Sequence, residues 1–221
     1  MKKSFLITLF LLFLPFVSYS QLSVGLTAGA THNTMVADAG YYERDYNARM
    51  GFAVAIPVEY QFNDWLAMRG EVGYIAKNYS WTREYGEFQQ YTNSFVQVPL
   101  MANFSLKVKE VRLFLSAGGY LGYWAGSCIS GQLLSLFDLQ LNYFSGERYE
   151  FDSAADNRFD AGLLLGVGAK WNLCDKLSLL GELRMQYGLT DMQKPYMENH
   201  FPRYNTTIQL NIGVMYNFLK K

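Results

Sequence analysis

Cysteine, proline and net charge are what this chain lacks. Two cysteines and five prolines in 221 residues leave no material for a disulfide scaffold or a four-ligand structural zinc site. Nineteen basic side chains balance nineteen acidic ones, so there is no basic surface to drive binding to nucleic acid. Disorder is excluded as well, because half the residues are apolar and 17% are aromatic, whereas disordered chains carry few aromatics and a large net charge. After residue 20 no run of eighteen apolar residues occurs, which removes a transmembrane helix. Nucleophile motifs and metal-ligand spacings such as HExxH are missing too; no enzyme activity, metal or cofactor is expected. What is abundant is 17 Tyr, 16 Phe and 19 Gly, a mixture that suits a β-rich chain with a crowded backbone.

Residues 1–20 read as an address. Lys2 and Lys3 precede an apolar run from Phe5 to Phe16, and the small Ser18 and Ser20 follow it. This is the layout of a secretory signal peptide cut after Ser20. The alternative, an N-terminal membrane anchor, meets a run too short to span a bilayer comfortably. Without this segment seventeen basic residues face nineteen acidic ones. No cysteine follows the cut, so a lipoprotein is not expected.

The remaining chain, residues 21–221, alternates in polarity over long stretches. Met50, Phe52, Val54, Ile56, Val58, Tyr60 and Phe62 share one face of a strand, and Ala53, Ala55, Pro57 and Glu59 share the other. The pattern recurs from Leu22, Leu66, Val96, Val111, Ala161, Leu179 and Ile208. That gives eight strands of about ten residues or more, long enough to cross a hydrocarbon layer when tilted. Their connections alternate as well. Asn63-Asp64, Lys107 to Glu110 and Asn172 to Lys176 are tight, whereas His32 to Arg49, Tyr79 to Asn93, Ala125 to Asn157 and Asp191 to Asn205 are long. The expectation is an all-β fold: a closed eight-stranded antiparallel transmembrane β-barrel with short periplasmic turns and long extracellular loops. Lipid offers no hydrogen-bond partner, so a spanning sheet must close on itself. Within 125–157, Leu133 to Phe144 also alternates, and Ser145-Gly146 could turn it into Glu147 to Phe151. Ten spanning strands would result, but Glu147 to Asn157 is too charged for lipid, so a hairpin standing above the membrane is expected. Tyr60, Phe62, Trp65, Phe104, Trp171, Tyr216 and Phe218 map to the short-turn end, and Phe52, Tyr74, Tyr123 and Tyr187 to the other, as two interfacial aromatic girdles would.

Three segments carry a resemblance: Val96-Gln97-Val98-Pro99-Leu100, Ala117-Gly118-Gly119-Tyr120-Leu121-Gly122 and Asp160 to Gly166. With the leader and the eight strands, the chain resembles the small outer-membrane β-barrel domain family, often labelled porin-like or PorT-like. The resemblance implies an outer-membrane location, contact with outer-membrane lipid and insertion by the barrel-assembly machinery. The closing Tyr216-Asn217-Phe218 resembles the aromatic signal which that machinery reads, although Leu219-Lys220-Lys221 extends beyond it.

Few residues are left to carry chemistry. Glu59, Glu71, Asp160 and Glu182 fall on the inward face, as do Arg69, Arg112, Lys170 and Arg184. They read either as a paired polar plug or as the lining of a gated narrow pore. Arg69, Glu71, Glu182 and Arg184 should lie at similar depth. His32 and His200 are the only histidines and flank strands that meet on closure, with Asp38, Asp45, Asp191 and Glu198 nearby. They are either exposed loop residues or part of a rim enzyme acting on lipid or peptide. Cys128 and Cys174 map to opposite ends of the barrel, further apart than a disulfide reaches, so two free thiols are expected. Tyr41 to Tyr46, Tyr79 to Tyr85 and Tyr143 to Phe151 combine tyrosine with mixed charge, which suits either a binding surface for an envelope partner or aromatic pairs that hold long hairpins in shape. The leading expectation is a structural or interaction protein. A narrow solute channel stands second and the rim enzyme third.

Overall fold

A computed structural model describes residues 21–37, 45–83, 86–135, 140–194 and 202–218. Residues 1–20, read above as a signal peptide, lie outside the described residues, as do His200, Asp38, Glu198 and the Tyr41 to Arg44 segment.

Among the described residues ten strands form one antiparallel sheet: β1 (Gln21–Ala37), β2 (Asp45–Gln61), β3 (Leu66–Ala76), β4 (Tyr79–Thr82), β5 (Phe88–Val108), β6 (Val111–Leu134), β7 (Leu141–Arg148), β8 (Phe159–Asn172), β9 (Leu177–Gly188) and β10 (Arg203–Asn217). Eight of them close a ring in the order β1-β2-β3-β5-β6-β8-β9-β10. The seam between β10 and β1 is unbroken from Ser23↔Asn217 to Ala37↔Arg203. Closure satisfies the main chain of both terminal strands, which a sheet edge in lipid could not do.

The alternation places its residues on the two sides of the ring. Met50, Phe52, Ile56, Leu100, Leu115, Leu165, Leu210 and Ile212 are all more than half exposed, on the outside. Arg69, Glu71, Gln97, Glu182, Arg184 and Asn211 are buried inside. An apolar outside around a polar inside is the reverse of a water-soluble core. Rings at the turn end pair with one another, Tyr60 with Phe62, Trp65 with Phe104 and Tyr216 with Phe218. Phe52 and Tyr74 pair at the other end.

Two expectations about the connections change. The described parts of the first three stretches read as long loops are largely strand, because β1, β2, β5 and β6 run on above the apolar belt and β4 and β7 lie there; of Asp191 to Asn205 only the last three residues are strand, in β10. His32 therefore lies within β1, exposed, opposite Met50 and Ile208. The upper hairpin is built from the top of β6 and from β7, paired from Leu134↔Leu141 to Cys128↔Arg148. Ser145-Gly146 is no turn: the register slips there and Gly146 takes φ 68°, a β-bulge that glycine accepts without a Cβ clash. Cys128 in β6 and Cys174 in the β8–β9 turn are both free and exposed.

Bulges also mark where the barrel becomes a platform. Between Ala53↔Ile75 and Ala48↔Tyr79, four residues of β2 (49–52) face three of the opposite strand (76–78). The ladder is mended by side-chain amides. Asn78 Nδ2 donates to the Met50 carbonyl at 2.8 Å, and Asn93 Nδ2 donates to the Lys77 carbonyl at 3.0 Å. Asn78 Oδ1 accepts from the Asn93 N–H at 3.0 Å. Side-chain amides supply both donors and acceptors, so they can replace main-chain bonds that a bulge removes. A second register slip, between Ser94 and Phe95, leaves Ala125 of β6 as the extra residue. Above these slips β2, β4, β5, β6 and β7 continue as a five-stranded wall.

Candidate functional site

The ring's interior collects almost all of the buried charge. At its centre Arg184 grips Glu71 with both ends of its guanidinium, Nη1 to Oε2 at 2.9 Å and Nη2 to Oε1 at 2.7 Å. The same Nη2 lies 2.8 Å from Glu182 Oε2. Arg69 Nη2 donates to that oxygen at 2.6 Å, and its Nε lies 3.2 Å from Glu71 Oε1. Ser116 Oγ donates to Glu182 Oε1 at 2.7 Å. Two carboxylates and two guanidinium groups thus form a neutral four-membered node. Bidentate Arg–carboxylate geometry of this kind is the strongest form of such a pair. The node has room because position 166 is glycine. A Cβ there would come within 2.5 Å of Ser116 Oγ and 2.7 Å of Glu182 Oε1.

Further layers lie on either side. Toward the turns, Lys170 Nζ donates to Glu59 Oε1 at 2.5 Å, and Asn103 Nδ2 donates to Glu59 Oε2 at 3.0 Å. Below that pair the interior widens into a polar vestibule of about 390 Å³, lined in part by Lys107, Glu110 and Arg112. On the other side of the node runs a chain of amides, Gln97 to Gln186 at 3.0 Å, Gln186 to Gln209 at 3.2 Å and Gln209 to Asn211 at 2.7 Å. Lys77 Nζ donates to Asp160 Oδ2 at 2.7 Å and sits over the Tyr120 ring, 4.2 Å from its centroid. Small apolar clusters fill the gaps, Met101 with Tyr120 and Leu164, and Phe114 with Leu180 and Met215.

An aromatic cap closes the upper end. Tyr79, Trp81, Phe95 and Trp124 are buried there with Met35, Ile75 and Met192. Tyr149 and Phe151, from the connection between β7 and β8, fold back onto Trp124 with ring centroids at 5.8 and 4.8 Å. Tyr149 donates to Asp156 Oδ1 at 2.9 Å. Burial and then that bond to a carboxylate push its phenol well above the ordinary tyrosine range, so it stays a donor at every physiological pH. Arg158 ties the same connection down. Its Nε donates to the Trp124 carbonyl at 2.9 Å, while its guanidinium stacks over Phe151 and Tyr123.

The residues singled out in sequence thus fall into three groups. Arg69, Glu71, Glu182 and Arg184 come together in the node, and Glu59 meets Lys170. Asp160 meets Lys77, which shares the inward phase of Arg69 and Glu71 but is not among the four bases that the sequence singles out. Arg112 lines the vestibule, partly exposed, and forms no ion pair among the described residues. The amide chain and the cap escape sequence reasoning as well, because neutral amides and ordinary aromatics give no charge signal. Their inward parity is the one clue to them. His32 points outward in the strand ladder, beside Met50 and Ile208.

An apolar cylinder around a charge-compensated interior, with tight turns at one end and tall strands at the other, is an integral β-barrel of a bacterial outer membrane. The chain belongs to the outer membrane protein β-barrel domain family, whose profile matches residues 18–194. Solved structures agree on the fold. A major outer membrane protein from Thermus thermophilus matches at 16% identity and a TM-score of 0.52, over 90% of this chain and 99% of that one. The outer membrane protease OmpT from Escherichia coli matches at 11% identity and a TM-score of 0.50, over 90% and 96%. Neisserial surface protein A is more distant, at 16% and 0.46, over 88% and 97%. No curated protein matches the sequence.

Proposed function

We propose that this protein is a sealed membrane anchor whose purpose is the wall of strands it holds above the outer membrane, as a surface for a partner protein. The supporting observation is the interior. The node, the Glu59–Lys170 pair and the Lys77–Asp160 pair offset one another in charge, and the aromatic cap covers them. A conducting path would favour hydrated groups of one dominant sign, whereas compensated ion pairs packed at hydrogen-bond distance exclude ions and rigidify the cylinder. The wall, by contrast, is built for exposure and for stiffness. Gln132 Nε2 donates to the Gly86 carbonyl at 3.1 Å, and the Leu134 N–H donates to Glu87 Oε1 at 3.1 Å, which joins the β4–β5 hairpin to the β6–β7 hairpin.

The test is electrical. Purified, refolded protein in planar lipid bilayers is expected to give no discrete conductance steps. Steps that change in size on Arg69→Ala or Glu182→Ala would instead establish the narrow channel. Likeness to a protease rests on fold alone and lends no activity to this chain.

A further inference from the structure

Among the described residues, the longer edge of the five-stranded wall is left unpaired. β7 pairs with β6 on one side, and among the described residues no strand pairs with the other. β4, β5 and β6 are flanked on both sides, and the wall's other edge, Asp45–Ala48 of β2, is four residues long, half the length of β7, and continues below into the ring beside β1. Which main-chain groups face out follows from the ladder. The Ser135 N–H donates to the Gln140 carbonyl at 2.8 Å, so that pair is a hydrogen-bonded one. Hydrogen-bonded and non-bonded pairs alternate along an antiparallel ladder. Asn142 and Phe144, opposite Leu133 and Gly131, therefore bond to β6. Leu141 and Tyr143 turn their N–H and C=O groups to the free edge. Their side chains share one face and are 42% and 68% exposed. At the lower end of the strand Glu147 and Arg148 are exposed and form no ion pair among the described residues.

We propose that this edge is a docking site that takes an extended peptide strand from a soluble partner, added antiparallel to β7. An edge of unpaired main-chain groups is complementary to another extended main chain, and an ordered edge loses little entropy on binding one. Charge decides against a second copy of the barrel. Two upright barrels are related by rotation about the membrane normal, which keeps every residue at its own height. Arg148 would meet Arg148 and Glu147 would meet Glu147, and like charges placed opposite each other repel. An antiparallel peptide that begins with an acidic residue and then a basic one meets Arg148 and Glu147 in the favourable order. Threonine and β-branched apolar residues further along suit the Leu141 and Tyr143 face. This inference rests on the anchor-and-platform reading and narrows it to one strand.

The probe is a fluorescein-labelled peptide, glutamate-lysine-threonine-valine-threonine-valine-threonine, titrated against full-length protein in lipid nanodiscs by fluorescence polarisation. Saturable binding to wild type is expected. Tyr143→Pro removes one N–H from the free edge and none from the β6 ladder, and should weaken binding about tenfold, the worth of one well-made hydrogen bond. Tyr143→Thr keeps the N–H and should bind within a few-fold of wild type. Should Tyr143→Pro fail to fold, the charge-reversed double variant Glu147→Arg with Arg148→Glu serves instead: it should favour the same peptide with its first two residues exchanged. No saturable binding to wild type overturns the proposal, as does equal binding to Tyr143→Pro, or a charge-reversed double variant that does not change preference. These outcomes are separate from conductance: a silent bilayer with no peptide binding leaves the sealed anchor standing and removes only β7 as its docking strand.

Discussion

Glu182→Gln is expected to destabilise the folded barrel by about 3–5 kcal/mol, the usual cost of removing one partner from a buried ion pair. Glu182 is 2% exposed, and its Oε2 is shared by Arg69 and Arg184. After the substitution two guanidinium groups compete for the single carboxylate of Glu71. Arg69 suffers more, because its remaining contact with Glu71 is the 3.2 Å approach of Nε, whereas Arg184 keeps a bidentate grip. Removing both charges together should cost less than the sum of the single changes. In Arg69→Met with Glu182→Gln, Arg184 and Glu71 remain a matched pair. Residues in one network are expected to couple by about 0.5–3 kcal/mol. The measurement is a urea titration of protein folded in lipid vesicles, followed by the mobility of unheated samples on gels. A Glu182→Gln barrel within about 1 kcal/mol of wild type would remove the node from the account.

Ile212→Arg is expected to be the most damaging change on the outside of the barrel, at about 2–4 kcal/mol for an arginine near the bilayer midplane. Ile212 is 69% exposed and lies midway along the outward row of Ile208, Leu210, Val214 and Tyr216 in β10. In a water-soluble protein an isoleucine that exposed could be exchanged for arginine at almost no cost. The size of the loss therefore reports the solvent around the barrel. Arginine in place of Val36, 46% exposed and four residues above His32 on β1, should be close to neutral, because the penalty fades toward the interface.

The spanning part of this fold is legible in sequence because lipid on one side and a filled interior on the other impose one strict period of two. Met50 to Phe62 and Ile208 to Phe218 show it almost without interruption. Above the belt the outer face meets water and that constraint ends. Tyr79–Thr82 is a strand of only four residues, and Phe88 to Thr92 carries polar residues on both faces, so both read as loops. The bulges add a second difficulty. Below the slip in β2, odd-numbered residues such as Ala53 and Glu59 point inward; above it, Tyr46 packs against the cap. A reading that carries one parity along a whole strand crosses such a slip unaware. Within the belt, parity fares better than charge. Arg69, Glu71 and Lys77 share a phase, and Lys77 completes the set of buried cations, while Arg112, just past the turn at Lys109, remains at the mouth. Pairing partners were out of reach for a different reason. Arg184 and Glu71 lie on strands that never touch in the ladder, and only closure of the ring brings them across the interior.

Spin-label accessibility along β10 probes the surroundings of each side chain most directly. Nitroxides placed one at a time from Thr207 to Met215 in vesicle-embedded protein would be relaxed by oxygen, which concentrates in hydrocarbon, and by a polar nickel chelate, which does not enter it. The expected result is an alternating profile, with high oxygen and low nickel accessibility at Ile208, Leu210, Ile212 and Val214, and low accessibility to both at Gln209, Asn211 and Gly213. Nickel reaching Leu210 and Ile212 freely, or no alternation between neighbouring positions, would mean that these side chains do not face lipid, and the barrel described here would not be the protein's structure in the membrane.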